Sequence, residues 1–379
     1  MMKCAECKGK GMCGLPRCPV MSRFHAQAAI RPMSTYQGSS PSVFIGSFGY
    51  PEVQGGPLLV NDSDNPPDWL ARNLGMEDIV DIRARTIRGR SALNAIAGNL
   101  QEIALSSRPL DVDVAFEKPV AFSLNFDGTI APVGFTGSVK TLEIGSNARV
   151  ERIVDRITSD TDIGANEAVV ALKESAIDVY RISGLMTAGL LGRRRKFVPT
   201  RWAITAVDDT LSTSIKKEIA RYPPIEEICL FTAEIFGNRI ICILLPGDWK
   251  YEMIEIWGRH SLWGGENDVI VQDREGMKKK GYSPISGAYY SARLAVCEYL
   301  LQVKRSARVI ILRSVSGDYW APLGTWVIRE ATRKAMAHPP VICESLAAAV
   351  GQASALLGSD TWVSHSTMIP ELRTQRTLF

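Results

Sequence analysis

Leu93, Ile96, Ala97, Leu100, Ile103 and Ala104 lie three or four residues apart, the spacing of one helical face, and predict an amphipathic helix over 92–105. A two-residue rhythm follows. Between 112 and 144 the chain alternates and turns, which predicts strands at 112–117, 119–126, 129–135 and 138–144, with Asp127-Gly128 as a hairpin turn. Before these, 43–48 reads as a strand and 68–75 as a short helix; after them, 163–175 and 180–191 read as helices. In the second half, 227–236, 239–245 and 251–257 read as strands joined by Gly237-Asn238 and Pro246-Gly247-Asp248, an antiparallel meander. Ile240 to Leu245 is apolar throughout, as expected of a buried strand. The apolar stretch 202–207 reads as a strand ahead of a helix at 211–220. A helix at 288–304, a strand at 307–314 and helices at 325–336 and 342–357 complete the pattern, and the last ten residues are polar and expected to be flexible. The fold class is α+β (mixed α/β): antiparallel sheets packed with helices, plus a small N-terminal module.

At 379 residues the chain exceeds one ordinary core, which predicts two domains behind that module. The expected divisions are 1–25, 26–195, 196–370 and a tail at 371–379. Hydrophobic residues at 46% and charged residues at 22% are the balance of a soluble globular protein. No apolar run approaches bilayer length and no secretory leader is visible, so no membrane association and a cytoplasmic location are expected. The net charge of +4 permits a nucleic-acid partner without demanding one, because local clustering decides binding.

Four of the eight cysteines fall at Cys4, Cys7, Cys13 and Cys18, a C-x2-C-x5-C-x4-C spacing. Thiolates at such spacing suit a tetrahedral structural zinc ion. Gly9 and Gly11 let the chain turn back, and Lys3, Lys8, Lys10 and Arg17 offset the charge of a four-thiolate centre. So short a segment cannot fold by apolar burial, and the metal would supply its folding energy. An iron–sulfur cluster is the alternative occupant. His25, seven residues past Cys18, reads as a nearby surface residue. Cys229, Cys242, Cys297 and Cys343 sit among apolar neighbours and read as buried small hydrophobes.

The chain ends Gln375-Arg376-Thr377-Leu378-Phe379. A Gln followed by an aliphatic and an aromatic residue resembles the box with which proteins dock on the replication sliding clamp, PCNA, in a shortened form that lacks the second aromatic. Leu and Phe entering an apolar groove would each contribute about 1.5–3 kcal/mol.

The cysteine segment Cys4 to Pro19, the stretch Val198-Pro-Thr-Arg-Trp-Ala-Ile-Thr-Ala-Val-Asp-Asp209 and the Gln375–Phe379 tail together resemble the archaeal Nre family of DNA-repair proteins. The resemblance spans essentially the whole chain. It implies a cytoplasmic protein of the DNA-damage response that docks on the sliding clamp through its C-terminus. By the family pattern the four cysteines match zinc-finger ligands, and Gln375, Thr377, Leu378 and Phe379 match the clamp motif. It supplies no catalytic mechanism.

Arg193, Arg194, Arg195 and Lys196 form the densest basic run, with Arg201 and Trp202 close behind. Arginines pair with phosphates, and Trp202 is either a stacking surface for a base or a core residue. Lys278–Lys280 reads as a solvated run. Arg83, Arg85, Arg88 and Arg90 alternate, as on one face of a strand that lines a groove or forms an exposed edge. Asp208 and Asp209, at the end of the expected strand, are candidates for a divalent metal site, with Glu255, His260, Glu266, Asp268, Asp273 and Asp318 as possible companions. The competing role is a helix N-cap at Asp209 or Thr210. His260, beside Trp257, Trp263 and Gly264-Gly265, is the histidine best placed for chemistry. Three readings stand: an adaptor binding DNA and the clamp, a metal-dependent nuclease using Asp208 and Asp209, and an RNA-binding zinc protein.

Overall fold

The computed structural model describes residues 7–28, 30–121 and 130–374. Two compact units divide the chain: Pro19–Leu211 forms one, and Met1–Cys18 with Ser212–Phe379 forms the other. The fold is mixed α+β, with one six-stranded sheet in each unit.

The first unit begins with α1 (Pro19–Ala28), β1 (Met33–Ser40), β2 (Ser42–Ile45), β3 (Gln54–Leu59), α2 (Pro66–Ala71), α3 (Met76–Arg85), β4 (Ile87–Ala92) and α4 (Leu93–Leu105). It continues with β5 (Leu110–Val120), β6 (Phe135–Ile144), α5 (Arg152–Ser159), α6 (Ala165–Glu174), α7 (Val179–Thr187) and α8 (Thr200–Ile219), within which the two units divide. The sheet order is β1-β5-β6-β4-β3-β2. Val112, Val114 and Phe116 of β5 are buried while Asp111 and Asp113 are exposed, which is the two-residue rhythm expected of a half-buried strand. The expected break at residue 118 is absent. β5 runs through Pro119 because the register to β1 shifts between Met33 and Thr35, and an irregularity tolerates a residue without an N–H. The Asp127-Gly128 turn lies outside the described residues. α4 buries Ile96, Leu100 and Ile103, the face its spacing predicted.

Two further expectations in this unit are overturned. Arg83 and Arg85 lie on helix α3, where Arg85 pairs with Asp81 one turn back, so only Arg88 and Arg90 share the strand β4. The stretch 202–207 is helical, inside α8. Ala203, Val207 and Leu211 are buried at intervals of four, a helical face that a short apolar run disguises as a strand. Asp209 and Thr210 therefore lie within the helix and cap nothing.

The second unit adds β7 (Ile228–Ile235), β8 (Asn238–Leu245), β9 (Lys250–Trp257), β10 (Val269–Glu275), α9 (Gly287–Val303), β11 (Arg308–Val315), α10 (Trp326–Ala337), β12 (Val341–Cys343), α11 (Leu346–Leu357), a 3-10 turn (Thr361–His365) and α12 (Met368–Thr374). Its sheet order is β10-β9-β11-β8-β7-β12. The meander is only half right: β7 and β8 pair antiparallel, but β11 inserts between β8 and β9 and runs parallel to β9. Helix α9 supplies the crossover such a parallel pair needs. Ile241, Ile243, Ile254, Ile310 and Leu312 face α11, the 3-10 turn and α12, while α10 packs on β7 and β8. Burial on both faces explains the unbroken apolar run of β8. The helix expected over 342–357 is split. Val341–Cys343 pairs with β7, and Ser345 then caps α11 by accepting from the Ala348 amide. Cys242, Cys297 and Cys343 are buried, as expected, and Cys229 is half-buried. No helix among the described residues is long and apolar enough to cross a membrane.

Candidate functional site

The cysteine segment builds a tight loop. Lys8, Gly9, Gly11 and Gly14 all take positive φ, and the Lys10 amide donates to the Cys7 carbonyl at 2.9 Å. The turns aim amide N–H groups at Cys7. The Met12 amide does most to hold its thiol below the usual range; burial opposes this, and the amides of Lys10, Gly11 and Gly9 assist. A thiol held below its usual range favours the thiolate, the form that binds a metal. Cys7, Cys13 and Cys18 carry free thiols. Among the described residues, which exclude Cys4, no group of three or more His, Cys, Asp or Glu side chains is gathered to hold an ion.

This loop docks on its own unit. A Cβ on Gly14 would lie 3.2 Å from His260 Nδ1, and the Arg17 guanidinium lies 5.6 Å from the centre of the Trp320 ring. His260 is exposed, with φ of +60°, in the turn after β9, where its amide donates to the Gly265 carbonyl. Trp263, in that turn and exposed, meets the buried Trp257 edge to face with 4.4 Å between ring centres. Trp257 donates to Glu255 at 2.8 Å, and Arg313 pairs with Glu255 and donates to Asn238 at 2.6 Å. Glu255 is thus committed to a buried ion pair rather than left for a metal. Asp273 is likewise paired with Lys279, and Asp268 accepts from the Arg259 amide.

The other end of the chain is anchored. Glu252, fully buried on β9, accepts from Ser366 Oγ at 2.5 Å, from the Thr367 amide at 2.7 Å and from Thr367 Oγ1 at 2.6 Å. The Met368 amide adds a longer bond at 3.3 Å, so the carboxylate caps α12 from the face of the sheet on which that helix packs. Lys250 and Arg274 both pair with Glu371 on the same helix. Gln375, Arg376, Thr377, Leu378 and Phe379 lie immediately beyond α12, outside the described residues.

Half of the basic run is spent on structure. Arg193 donates to the Asp162 carbonyl, and Arg195, with φ of +46°, donates to the carbonyls of Thr158, Asp160 and Leu190. Arg194 and Lys196 are exposed. Arg201 is exposed in the first turn of α8, and Trp202 is 41% exposed there, in an edge-to-face contact with Tyr50 with 5.0 Å between ring centres. Trp202 is therefore not a core residue. Asp208 is fully buried and Asp209 half-buried in α8, so the strand-end pair of carboxylates expected for a metal does not form.

The family model for the N-terminal part of archaeal Nre proteins matches residues 12–264, and that for the C-terminal part matches 274–379. The chain belongs to the archaeal Nre family. Archaeoglobus fulgidus has two similar relatives. Its DNA repair protein NreA is 34% identical over 376 residues, covering 95% of each chain. Its DNA repair protein NreB is 34% identical over 392 residues, covering 100% of this chain and 99% of its own. The DNA repair protein NreA of Haloferax volcanii is 32% identical over 327 residues, covering 80% and 78%. No solved structure matches.

Within this Nre chain, sequence reasoning missed Glu252. Its only local signal is that it is one of two acids, with Glu255, in the otherwise apolar stretch Tyr251–Trp257, where a buried carboxylate needs a partner.

Proposed function

We propose that the chain is a DNA repair factor recruited to DNA through the PCNA sliding clamp, with Gln375–Phe379 as the docking segment and one structural zinc ion on Cys4, Cys7, Cys13 and Cys18. Membership of the Nre family carries this reading, because relatives named as DNA repair proteins align along nearly the whole chain. Two features of the geometry support it. The amides around Cys7 suit a thiolate ligand, and when bound the ion would hold together a loop that has little apolar surface to bury. The capping of α12 by Glu252 fixes the point from which the docking segment leaves the unit, which reduces the chain entropy lost on binding.

The first test is calorimetric titration of the source organism's clamp with the full chain and with a chain lacking Gln375–Phe379. Binding by the first alone supports the reading. Phe379→Ala should weaken binding at least tenfold, since a buried Phe contributes about 1.5–3 kcal/mol. Equal binding by both chains, or none, removes the clamp from it. Metal analysis of the purified chain should give one zinc per molecule, lost on Cys13→Ser; iron in its place refutes the zinc assignment. A strain lacking the gene should be sensitised to DNA-damaging treatment, and wild-type tolerance would refute the repair role.

A further inference from the structure

The first unit holds a cleft of about 630 Å³ whose walls include Phe44, Phe48, Glu52, Arg88 and Arg90. Phe48 stands at its rim and is 94% exposed. A single exposed aromatic is unremarkable, but this one belongs to a series. Tyr50 follows two residues later, and Trp202 lies against Tyr50. The two segments are tied together, because Thr200 Oγ1 accepts from the Ile45 amide at 2.9 Å, so the start of α8 sits beside the end of β2, where the loop 46–50 departs.

The cationic wall comes from β4. The Arg88 guanidinium lies over the Phe44 ring, 4.4 Å from its centre, a cation–π contact that steadies the side chain at the cleft wall. Burial and the neighbouring Arg83 both disfavour its charge, and Asp64 compensates in part. An anion entering the cleft would relieve that deficit. Arg90, exposed, is steadied by the side-chain carbonyl of Gln54. Glu52 places one carboxylate among these groups, so the wall is only modestly positive.

Protruding aromatic faces next to well-placed guanidinia are the chemistry of single-strand recognition: bases stack and phosphates pair. Duplex bases already stack on each other and have no free face for Phe48. We propose that this cleft and the loop 46–50 bind single-stranded DNA, with an unpaired base on Phe48 and adjacent phosphates on Arg88 and Arg90. The choice of DNA rests on the repair reading above; the geometry itself asks only for a single strand.

The test is fluorescence anisotropy of a labelled oligothymidylate with the full chain, without clamp. Binding tighter than about 0.1 mM at moderate salt is expected, with a log–log salt slope near −1.4 for two phosphate contacts. Phe48→Ala should weaken it about tenfold, and Phe48→Trp should restore it. Arg90→Gln should weaken binding and flatten the slope by about 0.7. Glu52→Gln should tighten it. A chain lacking Gln375–Phe379 should bind equally, so failure of clamp docking leaves this site standing, and the reverse also holds. Binding that is indifferent to Phe48→Ala and Arg90→Gln, equal binding of a duplex, tighter binding of the matching RNA, or no binding overturns the proposal.

Discussion

Glu252→Ala removes one carboxylate and strands its four donors. The two short bonds from Thr367 and the one from Ser366, at 2.5–2.7 Å, are charge-assisted, and the Met368 amide is the fourth. A hydrogen bond to a charged group contributes about 1.5–3 kcal/mol net, and a buried donor left unmade costs about 1–3 kcal/mol. Water entering the vacated space repays part of this, and the carboxylate's own desolvation cost disappears with it. The expected destabilisation is therefore roughly 3 kcal/mol rather than the sum over the bonds. For a unit of this size that lowers Tm by about 6–12 °C. Glu252→Gln should cost nearly as much, since its amide N–H₂ turns two donors toward donors. Thermal unfolding measures the global effect, and hydrogen exchange of the amides at 366–374 measures the local one. A loss below about 0.5 kcal/mol for both variants, with unchanged exchange, would refute the claim that Glu252 anchors α12.

Acidification should loosen the same helix. The Lys250 ammonium holds the Glu371 carboxyl below its usual range; burial opposes this slightly and Arg274 reinforces it. Its folded pKa is depressed, so the contribution is present above the unfolded carboxylate value of about 4.3 and is lost as pH falls through the folded value. The groups are exposed, so the effect stays within about 1 kcal/mol, and Glu371→Gln should remove the difference in Tm between pH 6 and pH 3 that this pair adds. Burial pushes the Cys297 thiol up to about 12, so at pH 8 iodoacetamide should label it only as fast as the unit unfolds; prompt labelling in native buffer would contradict its burial. Gly134→Ala places a Cβ 1.7 Å from the Thr86 carbonyl oxygen, a backbone clash that should cost more than about 3 kcal/mol in chemical denaturation, whereas Gly98→Ala, with nothing within 4 Å, should be tolerated.

Local patterns carried local structure well. The spacing of Leu93, Ile96, Leu100 and Ile103 determined α4 and the face it buries, and the apolar run Ile240–Leu245 determined a strand covered on both sides. Where two local periods competed, the sequence misled. Residues 202–207 are too short and apolar to separate strand from helix until Leu211 is seen buried in phase with Ala203 and Val207. That single ambiguity also produced the idea of paired carboxylates at a strand end, which the helix removes.

What the sequence determined by itself is the cysteine spacing, the stretch 198–209, the C-terminal segment and, through the three together, the resemblance to the family. These are patterns of residue type at fixed spacing within a few positions, and they can be read without knowing any contact in the folded chain. Only the tertiary structure decided the insertion of β11 between β8 and β9, the capping of α12 by a carboxylate 114 residues away from Ser366, and the meeting of Phe48 with Arg88 and Arg90 at one cleft. Each joins segments whose separation along the chain carries no periodic signal. Which segments meet is set by the packing of apolar faces over whole sheets, and a buried carboxylate or an arginine beside an aromatic ring acquires its role only once that packing has placed its partner.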